Sequence, residues 1–214
     1  MQHDFTGYYV YNQPHTGDPW EKGQYLDWQE RRRKMEEKHN FFDRMVRAAK
    51  LDPTLYEDVE ADKGAFGQAA AVVVLSSLAV GVGAITSGGI GALLTGTVAA
   101  LLGWLVWAYI TYLVGTKILP EPQTEADYGQ LLRTLGFASA PGLIRVLGII
   151  PGLFWIVSLA ASLWMIAAMV VAIRQALDYE STFRALGVCI IGWTIQIFFL
   201  ILLFAIFGGS SEPV

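Results

Sequence analysis

The feature that most constrains this chain is a stretch of 150 residues with very little charge. Residues 65–214 carry 5 basic and 6 acidic side chains, whereas residues 1–64 carry 10 and 13. Charged residues make up about a quarter of a typical soluble domain. A soluble globule of this size would leave much of this apolar stretch in contact with water. The sequence therefore predicts an all-α polytopic membrane protein.

A helix that crosses a bilayer needs about 20 mostly apolar residues. Five stretches meet this length: residues 65–85, residues 91–113, two within residues 131–173, and residues 185–207. Gly and Pro residues predict breaks between them at 86–89, 120–127 and 148–152, and residues 174–184 are a predicted polar loop. The chain then consists of a polar N-terminal tail (1–64), a membrane domain of five transmembrane helices (65–208) and a short end (209–214).

The distribution of basic residues favours one orientation. With five spans and the N-terminus inside, the inner segments hold 14 of the 15 Lys and Arg residues, and only Arg145 falls outside. The positive-inside rule then predicts a cytoplasmic N-terminus and an external C-terminus in the plasma (inner) membrane. We expect Arg145 to extend outward to the interface. Trp104 and Trp107 would belong to an interfacial aromatic belt.

Small side chains four residues apart are candidates for helix contacts, because they let two backbones approach closely in lipid. The predicted helix-packing residues are Ser77, Gly81, Gly96, Ala100, Gly103, Ala168 and Ala172. Pro141 lies inside the third span. Because its ring lacks an N–H and clashes with the carbonyl of residue 137, we predict a kink there.

The tail contains a predicted amphipathic helix over residues 25–51, with an apolar stripe that includes Trp28 and recurs every seven residues. Four consecutive basic residues lie beside this stripe: Arg31, Arg32, Arg33 and Lys34. Such a helix suits an anionic membrane surface. Packing on its own bundle or on a partner explains the pattern equally well. Asp52 and Pro53 then predict the N-cap and first turn of a short helix that ends near Asp62.

The first 24 residues are rich in aromatic side chains, and such residues often anchor a flexible arm to another surface. Together with Trp28, the predicted partner-binding residues are Phe5, Tyr8, Tyr9, Tyr11 and Trp20. We therefore expect the tail to contact other membrane-protein subunits. The net charge of −4 gives no reason to expect a nucleic-acid partner.

The sequence contains no pattern that predicts catalysis, a cofactor or a metal site. Its three histidines lie in the tail at spacings that match no metal motif, and Cys189 is the only cysteine. No acidic residue lies inside a predicted span, although proton relays and ion-coupled carriers generally need one. Gln196 lies near the middle of the fifth span and is expected to hydrogen-bond between helices. We expect a protein that is not an enzyme.

The layout resembles the Yip family of Ypt/Rab-interacting membrane proteins, in its prokaryotic-type branch. The likeness covers about residues 40–208 and is carried by residues 41–68, by LLRTLGFASAP at 131–141 and by RQALDYESTFRA at 174–185. The eukaryotic branch carries an Asp-Leu-Tyr-Gly-Pro type of motif before its first span. Residues 55–58 of this chain read LYED, without Gly-Pro. We therefore expect no Rab-type GTPase among the partners.

The resemblance implies a membrane scaffold or interaction protein, either an accessory subunit of a larger membrane assembly or a membrane organiser. Its partners would be the lipid bilayer and other membrane-protein subunits. The alternative is a small permease or flippase-like transporter built around Pro141 and Gln196. The two hypotheses differ in the centre of the bundle, since a transporter needs a polar, water-accessible cavity at mid-depth.

Overall fold

The computed structural model describes residues 26, 27, 29, 40–83, 85–150 and 152–207. The chain divides into two compact units, Met1–Arg44 and Met45–Val214. The predicted partner-binding and membrane-surface residues lie outside the described residues: Phe5, Tyr8, Tyr9, Tyr11, Trp20, Trp28, Arg31, Arg32, Arg33 and Lys34. The residues that are described form helices and no strand, which confirms the all-α prediction.

Seven α-helices and three helical segments of other types follow one another in the described part. The α-helices are α1 Phe41–Ala49, α2 Pro53–Ala61, α3 Phe66–Gly83, α4 Ile85–Leu113, α5 Tyr128–Phe137, α6 Phe154–Ala176 and α7 Thr182–Phe207. The other segments are a 3₁₀ turn at Lys63–Ala65, a π-helical turn at Val114–Ile118 and a 3₁₀ segment at Ala140–Ile149.

Three helices in the described residues are long and apolar enough to cross a membrane. They are Lys63–Val82, Leu93–Ile118 and Phe154–Ala176, with 20, 26 and 23 residues. Helix α7 adds a shorter apolar stretch, Thr182–Phe198. These helices correspond to the first, second, fourth and fifth predicted spans. Their length and composition agree with a helical membrane protein.

The third predicted span is a broken helix. Helix α5 begins with a capping box, in which the Asp127 side chain accepts from the Gln130 N–H at 2.9 Å and Gln130 Oε1 accepts from the Asp127 N–H at 2.5 Å. It ends at Phe137, and the chain continues as the 3₁₀ segment Ala140–Ile149. Pro141 stands in the first turn of that segment, so the change of helix type coincides with the missing proline N–H.

The first two spans form an antiparallel pair. Ser77 Oγ lies 3.2 Å from Thr97 Oγ1, and a Cβ added at Gly81 would lie 3.0 Å from the Leu93 side chain. The predicted separate turn at residues 86–89 is wrong, because α4 begins at Ile85 and these residues form its first turn. No proline interrupts them, and in lipid a backbone group released from a helix finds no water to bind.

The continuous tail helix predicted over residues 25–51 is also wrong. Asn40 is not helical, and its Oδ1 accepts from the Phe42 N–H at 3.0 Å, which marks the start of α1. Asparagine favours such an N-terminal position because its side chain binds backbone donors that a helix leaves free. At the other end, Leu51 has a φ of 62°, a left-handed conformation that terminates the helix.

The predicted start of α2 is confirmed. Asp52 is the N-cap, its side chain accepts from the Thr54 N–H at 3.0 Å, and Pro53 occupies the first turn. Arg47 joins the two short helices, since its Nε lies 2.7 Å from Asp52 Oδ2 and its Nη1 lies 3.2 Å from Asp58 Oδ2. This arginine therefore has two carboxylate partners from its own chain.

The last turn of α2 is attached to α5 by Arg133. This side chain is 7% exposed, and its Nε donates to the Val59 carbonyl at 2.9 Å while Nη2 donates to the Glu60 carbonyl. Carbonyls at the end of a helix lack an intrahelical partner, so the guanidinium satisfies two of them. Nearby, Gly136 lets α5 approach α3, since a Cβ there would lie 2.7 Å from Ala69 Cβ.

Candidate functional site

A cavity of about 580 Å³ lies at the centre of the Met45–Val214 unit. Every helix from α3 to α7 contributes to its wall, as does the 3₁₀ segment. Most of the lining is apolar or glycine. The polar lining comes from Ser76, Ser77, Ser139, Arg145, Gln196, Trp104, Trp107 and Trp193. A large apolar cavity with a few converging polar groups is the usual form of a ligand site.

Arg145 is the one charged side chain in this lining. Its Nη2 donates to Ser162 Oγ at 2.9 Å, and its Nη1 lies 3.0 Å from Met165 Sδ. The prediction that Arg145 extends outward is wrong, because both contacts draw its guanidinium into the bundle. Ser162 lies eight residues into α6, or about 12 Å along the helix. The positive charge therefore lies well inside the helical domain.

Gly142 makes this position of Arg145 possible. A Cβ at residue 142 would collide with Ser76 Oγ and would lie 2.9 Å from Met165 Sδ and 3.2 Å from Arg145 Nη1. Only glycine lets the 3₁₀ segment approach α3 and α6 this closely. The segment thereby carries the arginine to the cavity wall.

Tryptophans form another part of the wall. Trp107 and Trp193 stack with their ring centroids 6.1 Å apart, while Trp104 Nε1 donates to the Leu132 carbonyl at 3.1 Å. Trp104 and Trp107 are 8% and 7% exposed, so both rings are buried against the rest of the domain, and their place in an interfacial belt stays a prediction. Trp107 Nε1 is buried without a hydrogen-bond partner in the described structure.

The predicted helix-packing residues do not share one environment. Ala168 and Ala172 are fully buried, whereas Ser77, Gly81, Gly96, Ala100 and Gly103 line the cavity. Ser77 and Gly81 also contact α4. A Cβ added at Gly96 or Gly103 would meet no atom within 4 Å, so no described helix of this chain packs against those two positions.

The cavity can bind a ligand but has no acid–base pair for catalysis among its described lining residues. Its lining contains no His, Cys, Asp or Glu. In the described part of the chain no group of three such residues could hold a metal ion. What the cavity does offer is one cation together with amide and indole donors, which suits recognition of an anion.

Comparison with protein families identifies the chain. The model of the Yip1 domain matches residues 53–204, well over half of the 214 residues. The chain belongs to the Yip1 domain family. This match confirms the resemblance to the Yip family, and it includes every element from α2 to most of α7. Comparisons with curated proteins and with solved structures gave no match.

The beginning of the Yip1 domain is buried in this structure. Leu55 and Tyr56, from the LYED stretch, are 0% exposed, and Tyr56 Oη donates to the Ala48 carbonyl at 3.3 Å. Burial and the charge of Asp52 raise the pKa of Tyr56. These two side chains hold α2 to the rest of the domain and have no accessible surface for a partner.

Sequence reasoning missed the inward arginine of the Yip1 domain, although a signal for it existed. Arg133 and Arg145 are the only charges in residues 131–173. An ionisable residue within a membrane segment generally faces the bundle interior and marks a functional site. Arg145 lies close to the predicted outer end of the third span, and for that reason the sequence suggested that it reaches the membrane interface. The close approach that Gly142 allows depends on tertiary contacts, which the sequence pattern does not show.

Proposed function

We propose that this Yip1-domain protein is a membrane scaffold, either an accessory subunit of a larger membrane assembly or a membrane organiser, and not an enzyme. It would cross the plasma membrane five times, with a cytoplasmic N-terminus and an external C-terminus. Its partners would be the bilayer and other membrane-protein subunits, with no nucleic acid and no Rab-type GTPase. The proposal also places it in the prokaryotic-type branch of the family.

The observation that carries the proposal is the outer face of α4. Within the three candidate spans, the α4 span is only 17% buried, compared with 33% and 28% for the other two. Leu94, Val98 and Leu102 recur every four residues on this face and are 57–61% exposed. Gly91, Thr95 and Ala99 form an exposed row of small residues beside them. A smooth face of this kind suits another transmembrane helix.

A bulky substitution tests this face. Ala99→Ile should weaken association with a neighbouring subunit, because it fills the groove along which backbones approach. Ala160→Ile makes the same chemical change at an exposed position of α6 and serves as the matched control. Gentle solubilisation followed by native gels should show a complex for the wild type and the control and a smaller species for Ala99→Ile. A wild-type chain that migrates alone would contradict the proposal.

The tail provides a second test of partner binding. We propose that the aromatic residues of 1–24 contact the partner and that Arg31 to Lys34 hold this arm near the membrane or the assembly. Deleting residues 1–24 removes only Lys22 from the tail's basic residues, so topology should be retained. If affinity purification recovers every partner in equal amounts with the truncated chain, the arm does not recognise them.

The five-span topology has its own test. Reporter fusions after Glu121 and after Asp178 should both be cytoplasmic, and a fusion after Val214 should be external. The basis is the location of basic residues in the inner segments. An external reporter at Glu121, or a cytoplasmic one at Val214, would require a different number of spans.

The alternative function, a small permease or flippase-like transporter, is favoured by one observation, the cavity whose polar lining includes Gln196. Single cysteines over residues 192–200 would distinguish the two functions. A transporter should show a stripe that water-soluble thiol reagents label from both sides of the membrane. A scaffold should show no labelled stripe around Gln196.

A further inference from the structure

The charge of Arg145 has no counter-charge within the candidate membrane spans. No Asp or Glu occurs in residues 63–120, 128–177 or 181–211, which contain all of these spans. In the described structure the contacts of Arg145 are a hydroxyl and a thioether, both uncharged. Arg145 is half-buried, and a partly desolvated guanidinium without an anion is costly. A bound anion would remove this cost.

Two further polar groups face the same cavity without a protein partner. Trp107 Nε1 is buried and makes no hydrogen bond in the described residues. Gln196 lines the cavity, and no described residue hydrogen-bonds to its amide. A guanidinium has five N–H donors, of which only one reaches an oxygen here. Arg145 and Gln196 line the cavity and have N–H groups without an oxygen partner among the described residues, so each can donate to an oxyanion bound there.

The remaining wall fits an apolar chain. Val73, Leu135 and Met169 belong to the lining, and the volume of about 580 Å³ far exceeds what a small inorganic anion would fill. Methionines adapt readily to flexible apolar ligands. An occupant that satisfies both parts of the cavity carries an oxyanion at one end and a hydrocarbon chain at the other.

We propose that this cavity binds an anionic membrane lipid, with headgroup oxygens accepting hydrogen bonds from Arg145 and the acyl chain lying against the apolar wall. The headgroup chemistry is a phosphate-type oxyanion, which a phospholipid or free phosphate could supply. The apolar wall favours the phospholipid. The site does not depend on the scaffold function, because Leu94, Val98 and Leu102 of the α4 face are not part of the cavity lining.

Native mass spectrometry of the purified full chain in detergent tests the site. The probes are dioleoyl phosphatidylglycerol, dioleoyl phosphatidylcholine and inorganic phosphate, each added to delipidated protein. The wild type should retain one phosphatidylglycerol and little phosphatidylcholine. Arg145→Gln should reduce the phosphatidylglycerol occupancy about 10-fold or more, because it removes the charged donor. Gln196→Leu removes an amide with no protein partner and should reduce it about 3-fold.

Arg174→Gln is the matched control. Arg174 is exposed at the far end of α6 and donates to the Tyr179 carbonyl, outside the cavity. This variant should bind as the wild type does, which excludes a general attraction of lipid to basic residues. Arg145→Lys keeps the charge and should retain most of the binding if Arg145→Gln fails to fold.

Three outcomes would overturn the inference. One is equal retention of phosphatidylglycerol and phosphatidylcholine by the wild type, which needs no variant. Another is undiminished phosphatidylglycerol binding by a folded Arg145→Gln chain. The third is binding of inorganic phosphate with no preference for the lipid, which would assign the cavity to a soluble anion. A failure of the partner-capture experiments would leave all three outcomes unaffected.

Discussion

Arg133 and Arg145 belong to the same predicted span, yet their charges are satisfied in opposite ways. Arg133 donates to two carbonyls at the end of α2, one of them at 2.9 Å. Arg145 reaches one serine hydroxyl and one methionine sulfur in the cavity wall. Arg47 adds a third case, since it pairs with Asp52 and Asp58. Of these three arginines, Arg145 is the one without a carboxylate or carbonyl partner among the described residues.

The comparison separates structural from binding arginines. A helix C-terminus carries partial negative charge on its free carbonyls, so Arg133 completes α2 electrostatically as well as geometrically. For Arg133 the chain provides both the cation and the carbonyls that bind it. For Arg145 the described residues provide the cation but neither a carboxylate nor a carbonyl. A half-buried charge such as Arg145 that has no anionic partner is evidence for a ligand, whereas a charge with its partners in place, such as Arg133, is evidence for stability.

The largest expected effect comes from replacing each arginine with methionine. Arg133→Met should destabilise the domain by about 2–4 kcal/mol, because it removes charged hydrogen bonds and leaves buried carbonyls unsatisfied. Arg145→Met should leave the stability of delipidated protein unchanged or raise it, because it removes an uncompensated charge. Unfolding in mixed micelles measures both. Equal losses for the two variants would break the distinction between them.

Two glycines, one packed against a helix and one beside the cavity, allow the same substitution to be compared in both places. Gly136→Ala places a methyl 2.7 Å from Ala69 Cβ and 3.0 Å from its carbonyl oxygen, so we expect a loss of about 1–3 kcal/mol. Gly96→Ala makes the same change beside the cavity, where no atom lies within 4 Å. It should be neutral or stabilising by up to about 1 kcal/mol through helix propensity. Thermal unfolding of both variants would show whether the cavity wall is open.

Substitutions at Asp52 test the contribution of its ion pair with Arg47 to stability. Asp52→Ala removes the N-cap of α2 and one partner of Arg47, at a cost of about 1–2 kcal/mol. Asp52→Asn should retain the cap and lose only the charge. Burial alone would raise the pKa of Asp52, but hydrogen bonds from Arg47 and Thr54 outweigh it and hold the pKa below 3.8. The ionic contribution should therefore be present above pH 3.8 and be lost as the pH falls below it. If Asp52→Ala and Asp52→Asn are equally unstable at neutral pH, the cap contributes nothing.

The smallest expected effect concerns Glu60, whose carbonyl binds Arg133. Burial, followed by the charge of Asp178, raises the pKa of its side chain from 4.5 to about 7, although Arg133 opposes the shift. A raised carboxyl pKa stabilises the fold at low pH, and this contribution disappears as the pH rises through 7. The wild type should therefore lose stability as the pH rises from 5 to 8, and the Glu60→Gln variant should not show this loss. The half-buried position limits the effect to about 1 kcal/mol. Melting curves at the two pH values would contradict the assignment if the wild type were more stable at pH 8.

Local signals predicted much of the fold. Asp52 and Pro53 marked the start of α2, and the lack of charge after residue 64 indicated membrane helices. The interruption at Asn40 was missed because the apolar stripe continues through it, while side-chain capping decides where a helix begins. The cavity was not predictable, since no periodicity shows that Gly96 and Gly103 meet open space. Two spans with small residues look the same whether those residues touch a helix or line a void.

The 3₁₀ winding of Ala140–Ile149 decides which of its side chains face the cavity. With three residues per turn, Ser139, Gly142, Arg145 and Gly148 align in one straight row, whereas an α-helix would spiral them apart. Over the six residues from Ser139 to Arg145, an α-helix would rotate the arginine about 120° away from the serine's direction. The winding of ten residues thus decides which way one charge points. A change to α-helical winding would turn Arg145 away from the cavity and would also shorten this ten-residue segment by about 5 Å, because the rise per residue is smaller in an α-helix.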